Sequence, residues 1–177
     1  MKKVILFLAL AGMAVLQSCT KEEYYVQDDS YDSDTISEVW EYTNVDFYYG
    51  NDFSVLLNFP HQTYTSDMIL MYHLYDVVNG NDIWRLLPQT YYLNGGGELD
   101  YNFDFTTYDA NVFLGANFDL NTLDSSWSQN QIFRVVVIPG YFSNKMATPK
   151  ESVDFTDYEA VLKYYNIDDS KVTKIKL

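Results

Sequence analysis

Four groupings of residues in this chain of 177 have side-chain types that do chemistry, and each makes a definite demand on its neighbours. Asp100-x-Asn102-x-Asp104 has the spacing with which a calcium loop begins. An EF-hand loop also needs glycine at its sixth position and glutamate at its twelfth, and those positions hold Phe105 and Asn111. Alternate residues of a strand stand about 6.7 Å apart, too far for all three to reach one ion at about 2.3–2.6 Å. The triplet reads as the solvated face of a strand. His61 and His73 are the two histidines. Zinc needs three or four ligands, at spacings that nothing around them supplies, so His73 reads as an ordinary strand residue. Ser125, Ser126 and Ser128 sit in a polar loop without the Gly-x-Ser-x-Gly elbow of a nucleophile. Gly95-Gly96-Gly97 falls in a hairpin with no helix behind it to cradle a phosphate. Among 25 acidic residues a carboxylate pair at glycosidase separation stays open, as chance pairs do in any chain this acidic. These groupings imply no catalytic residue, no metal and no cofactor.

Cys19, the one cysteine, is different. Met1-Lys2-Lys3 is a basic start, and Val4 to Leu16 is apolar throughout. A membrane-crossing helix needs about 20 residues, so this shorter run fits the apolar region of a secretory signal. Leu16-Gln17-Ser18-Cys19 then has the Leu-x-small-Cys form of a bacterial lipobox. In that reading the Cys19 thiol takes a diacylglyceryl group through a thioether, a peptidase cuts before it, and the freed amine is acylated. The alternative is a signal peptide beside an incidental free thiol, which is a liability in an exported protein. Two acyl chains suffice to hold a protein on a membrane. The expected organisation is a signal peptide over 1–18, a lipidated cysteine with an acidic tether over 19–35, and one domain over 36–177. With its thiol carrying lipid, the mature chain has no disulfide and no redox pair. Loss of residues 1–18 removes two lysines and no acid, so a net charge of −14 becomes −16. Such a surface repels phosphates, which excludes nucleic acid as a partner.

The segment 20–35, TKEEYYVQDDSYDSDT, is acidic with one lysine and has too few aliphatic residues to bury anything. It reads as an extended tether reaching roughly 50 Å when stretched. From about Ile36 the composition turns β-like. LDYNFDF at 99–105 alternates without exception, the mark of a half-buried strand. DFSVLLNF (52–59), MILMYHLY (68–75) and QIFRVVVI (131–138) are apolar runs suited to central strands. Asn79-Gly80 marks one hairpin and the glycines at 95–97 another, and 109–118 is a further strand. The spacing predicts an all-β fold, an antiparallel β-sandwich of immunoglobulin-like type with seven to eight strands. Its expected core includes Val55, Leu57, Ile69, Met71, Phe103, Phe105, Phe133, Val135 and Val137. One short C-terminal helix is expected near 156–165, where Thr156 and Glu159 form a capping box and Phe155 can staple against Ala160. Tyr158, Val161, Leu162 and Tyr165 share its buried face. TKIKL at 173–177 can add an edge strand guarded by lysines.

Aromatic content is the unusual feature: 17 Tyr, 11 Phe and 3 Trp. Consecutive strand residues point to opposite faces, so doublets such as Tyr48-Tyr49 and Tyr91-Tyr92 must put a ring outside the core. Such rings either pack across strands or supply binding area for sugars and proteins. Tyr48, Tyr92 and Trp127 are the candidate binding surface. Trp127 lies in the polar connection 119–130, either as a binding anchor or as a plug over the sandwich end.

SDMILMYHL (66–74), WRLLPQTYYL (84–93), YNFDFT (101–106), NQIFRVVVIPG (130–140) and FTDYEAVLKYYNIDDSKV (155–172) together resemble a family of uncharacterised lipoproteins of the Bacteroidota. Relatives in that family are often labelled collagen-like for a Gly-x-y stretch after the lipid cysteine. Residues 20–35 contain neither glycine nor proline, so no triple helix is implied here. Glu22-Glu23, with Thr20 in place of a retaining aspartate, is similar to the surface-export signals of these lipoproteins. The resemblance implies a lipid-anchored protein of the outer membrane at the cell surface, with the periplasmic face as the alternative. Function is expected to be a non-enzymatic structural or protein-interaction module of the envelope. A surface glycan-binding lipoprotein is the alternative, and a small hydrolase comes third.

Overall fold

The computed structural model describes residues 37–140 and 152–177. The signal, the lipidated cysteine and the tether expected over 1–35 lie outside them. Within the described residues, β3 (Met68–Val78) and β8 (Gln131–Ile138) are near-continuous apolar runs because both of their faces are covered. They pair antiparallel at the centre of a five-stranded sheet whose order is β4-β3-β8-β1-β9. β1 spans Glu38–Val45, β4 Asn81–Leu86 and β9 Thr173–Lys176. A four-stranded sheet, β2-β7-β6-β5, faces it, built from β2 (Ser54–Asn58), β5 (Gln89–Tyr92), β6 (Glu98–Phe105) and β7 (Asp109–Ala116). All pairings are antiparallel except β1 with β9. The result is the expected β-sandwich, with nine strands among the described residues.

Alternation assigns each side chain to a layer. Trp40, Tyr42, Ile69, Met71, Phe133, Val135 and Val137 point between the sheets and meet Leu57, Leu99, Tyr101, Ala110 and Val112. Val39, Leu70, Tyr72, Val136 and Ile138 point the other way, under a helix, α2 (Tyr158–Tyr165), that buries Tyr158, Val161 and Leu162 on them. Two apolar layers thus share one sheet. A second helical turn, α1 (Ser125–Ser128), lies in the β7–β8 connection.

Three expectations need correction. The run at 52–59 does not form a central strand: β2 is a sheet edge, so Leu57 is buried, Val55 is half-buried and Leu56 is 50% exposed. Phe103 and Phe105 do not belong to the buried core. β5 is half the length of β6 and pairs only with residues 98–101, so Phe103 is half-buried and Phe105 is 49% exposed, the two rings stacked at 6.1 Å. The cap of α2 is Asp157, which accepts from the Ala160 N–H at 3.0 Å, and not Thr156. Thr156 instead donates to Asp154 from both its N–H and its hydroxyl. Both residue types cap well, and starting at Tyr158 keeps the predicted apolar face on the sheet. The Asn79-Gly80 hairpin forms between β3 and β4, with positive φ of 53° and 80° as a tight primed turn needs. β9 is an edge strand with exposed lysines, as its sequence predicts.

Candidate functional site

The β7–β8 connection is where the sequence leaves its sharpest question, and the backbone there is closely accounted for. Asp119 caps the turn Leu120–Thr122, and Asp124 caps α1 by accepting from the Ser126 N–H at 2.8 Å. Every carbonyl from Ser125 to Gln129 has a donor. Ser125 O accepts from the Gln129 N–H at 2.8 Å and Ser128 O from the Phe47 N–H at 2.7 Å. Gln131 Nε2 donates to Ser126 O at 3.0 Å and to Gln129 O at 2.7 Å. The Tyr101 hydroxyl, rising from β6, donates to Trp127 O. A surface loop held at this many points from the core is rigid, and Trp127 with it.

Gln131 is in turn held by His73. The imidazole is 2% exposed and lies between the rings of Tyr101 and Phe133, at centroid distances of 4.5 and 5.0 Å. His73 Nε2 stands 2.9 Å from Gln131 Oε1, and Nδ1 stands 2.9 Å from the Tyr91 hydroxyl. Gln131 spends its NH₂ on the loop carbonyls, so its oxygen must accept; the network therefore assigns the proton to Nε2. Nδ1 then accepts from the Tyr91 O–H. Desolvation lowers the imidazole to about 4 and raises the Tyr91 phenol to about 12, so both are neutral. A directed chain runs from Tyr91 through His73 and Gln131 to the loop.

Trp127 is half-buried, packed against the inter-sheet core with its ring 5.0 Å from that of Tyr91. It also lines two depressions, of about 420 and 360 Å³. The first adds Tyr75, Asp76, Gln129 and Asn130; the second adds Tyr92, Asn94, Thr122 and Asp124. The plug reading and the surface reading of Trp127 therefore both have a physical basis in one side chain. Tyr92, 80% exposed, is brought to the same end of the sandwich. Tyr48 is not brought into either depression: it is 54% exposed beside a turn that follows β1 and lines neither. Tyr75 was not singled out from the sequence; its ring lies parallel to Tyr91 at 5.5 Å, under the Arg85 guanidinium at 3.4 Å.

Asp100 accepts from the Thr90 hydroxyl at 2.5 Å, on the half-exposed outer face of the four-stranded sheet. His61 is exposed and pairs with Glu38. Among the described residues no three His, Cys, Asp or Glu side chains converge to hold a metal, and no helix is long and apolar enough to cross a membrane. No family model, no curated protein and no solved structure matches the chain.

Proposed function

We propose that this protein is a non-enzymatic binding module of the cell envelope, held on the outer membrane by lipid on Cys19, with the Trp127 end as its binding face. The observation that carries the reading is the pinned loop: an indole fixed from the core between two depressions presents aromatic area without an ordering cost on binding. The polarity of the fold supports it. β1 starts opposite Val137 and finishes opposite Gln131, so the described chain enters the sandwich at the end away from Trp127. A tether leading to a membrane would leave that far end free to meet a partner. The occupant is an envelope protein or a glycan.

Crosslinking from intact membranes tests both halves. Trp127→Ala is expected to lose the crosslinked partner with affinity down by about 2 kcal/mol, and Cys19→Ala to lose labelling by a palmitate analogue. Equal labelling of Cys19→Ala would remove the anchor from the proposal. Unchanged crosslinking by Trp127→Ala would remove the binding face.

A further inference from the structure

The two depressions on either side of Trp127 repeat one chemistry. The first combines the Trp127 and Tyr75 rings with the Asp76 carboxylate and the carboxamides of Gln129 and Asn130. The second combines the Trp127 and Tyr92 rings with the Asp124 carboxylate and the Asn94 carboxamide. Among the described residues no lysine or arginine lines either one, although the Arg85 guanidinium stands over the Tyr75 ring at 3.4 Å. Each acid already accepts one backbone N–H through Oδ1, Asp76 from Val77 and Asp124 from Ser126. Asp124 accepts from the Ser126 side chain as well. These bonds orient each carboxylate, whose four lone-pair sites leave capacity to receive a ligand hydroxyl. An aromatic face beside one oriented carboxylate and a carboxamide suits a ring with an apolar C–H face and hydroxyl edges. Carboxamides both donate and accept, which hydroxyls can satisfy in either sense. Two such half-sites sharing one indole suit a ligand whose own chemistry repeats.

We infer that the Trp127 end takes an uncharged oligosaccharide, with sugar units lodged on both sides of the indole. This rests on the reading of that end as the binding face and adds the ligand class to it. Charge disfavours the acidic glycans: the chain carries −14, and a sulfate or uronate would meet a carboxylate in each depression, Asp76 in the first and Asp124 in the second.

The test uses the full-length lipidated chain in detergent, titrated calorimetrically with neutral gluco-, xylo- and manno-oligosaccharides of increasing length. At least one series is expected to bind, with affinity rising roughly tenfold or more from the monosaccharide to an oligomer that engages both sides. Tyr92→Ala and Asp76→Ala, one in each depression, should each weaken that binding about tenfold while leaving the melting temperature unchanged. Tyr92 is 80% exposed, so its truncation tests binding without testing the fold. Tighter binding of sulfated or uronate polymers than of any neutral series overturns the inference, as does binding indifferent to both substitutions. If no neutral sugar binds but Trp127→Ala still abolishes a protein crosslink, the ligand class falls and the binding face stands. If neither sugar nor crosslink depends on Trp127, both fall.

Discussion

The two apolar layers that share the five-stranded sheet bury His73 and Arg134 respectively, and they treat these basic side chains in opposite ways. Between the sheets, His73 is surrounded by Tyr91, Tyr101, Phe133 and an amide, with no carboxylate among its hydrogen-bond and ring partners in the described residues, and desolvation, with the Arg85 charge adding to it, keeps it neutral. Under α2, Arg134 keeps its charge. Its Nε donates to Glu41 at 3.0 Å, and one terminal nitrogen donates to the Tyr158 hydroxyl at 2.9 Å and to Asp169 at 3.1 Å. The guanidinium also lies 4.3 Å from the Trp84 ring centroid. Desolvation works against that charge, but Tyr158 and Glu41 outweigh it and the group is held above its ordinary value. The difference lies in where the partners come from. Glu41 also meets Lys174, 71% exposed, and Asp169 lies on a turn that reaches solvent. A layer closed by a helix and a tail can recruit partly hydrated counter-ions from its rim, whereas a layer closed by two sheets cannot. The inner network accordingly ends on a surface loop, and the outer one ties the C-terminal segment to the sheet.

The largest effect is expected where the charge is buried. Arg134→Met leaves Glu41, whose side chain is 8% exposed, with the exposed Lys174 as its remaining counter-ion, and should cost about 3 kcal/mol in denaturant unfolding. The double variant Arg134→Met/Glu41→Leu sharpens the point, because replacing both partners by apolar groups should recover most of that loss. A double variant as unstable as the single one would mean that the pair stabilises the fold by itself and not only by mutual neutralisation.

His73 should show an effect that appears only in acid. Its folded value is depressed from 6.5 to about 4, so the unfolded chain binds the proton first. The associated stability is complete above pH 6.5 and is lost as pH falls through 6.5 toward 4, about 3 kcal/mol in all. His73→Phe keeps the stacking between Tyr101 and Phe133 but removes the proton site. The parent should therefore lose stability across that window relative to the variant. Parallel pH profiles would show that His73 titrates in the folded protein as it does in the unfolded chain.

What the sequence reveals of this architecture follows the range of the interaction. The alternation at 99–105 and the apolar runs of β3 and β8 are local patterns, and they gave the sheets and the helix face. Phe105 obeys the same alternation yet is exposed, because its burial depends on the length of β5, a different strand. Trp127 stayed undecided between plug and binding anchor because the indole is half-buried, packed on the core and lining two surface depressions. The His73–Gln131 contact spans 58 residues. The one local sign of it is Gln131 opening an otherwise apolar run, which does not say what the amide will meet. In the outer layer, Arg134 is likewise a lone cation in QIFRVVVI, and Glu41 and Asp169 are remote from it in the chain.

The smallest expected effect has the opposite sign, and it shows what exposure and a carboxylate partner do to the same side chain. His61 Nε2 faces both Glu38 oxygens, at 3.0 and 3.1 Å, and Nδ1 faces Gln62 O at 3.2 Å. Both ring nitrogens have acceptors, so both donate, which only the imidazolium can do. The hydrogen bond to Glu38 raises its value above 6.5, with the Gln62 carbonyl adding to it. The unfolded chain then releases its proton first, so the stabilisation is complete below pH 6.5 and is lost as pH rises through the folded value. The His61 side chain is 56% exposed, so solvent screening holds the effect under about 1 kcal/mol. Relative to His61→Gln, the parent should be slightly more stable at pH 5, equal at pH 9, and the gap should shrink in high salt. A gap unchanged from pH 5 to pH 9 would mean that the ring contributes by packing on Trp40, whose ring lies 5.4 Å away, and not by its charge. Two histidines in one fold would then no longer differ by burial and partner alone.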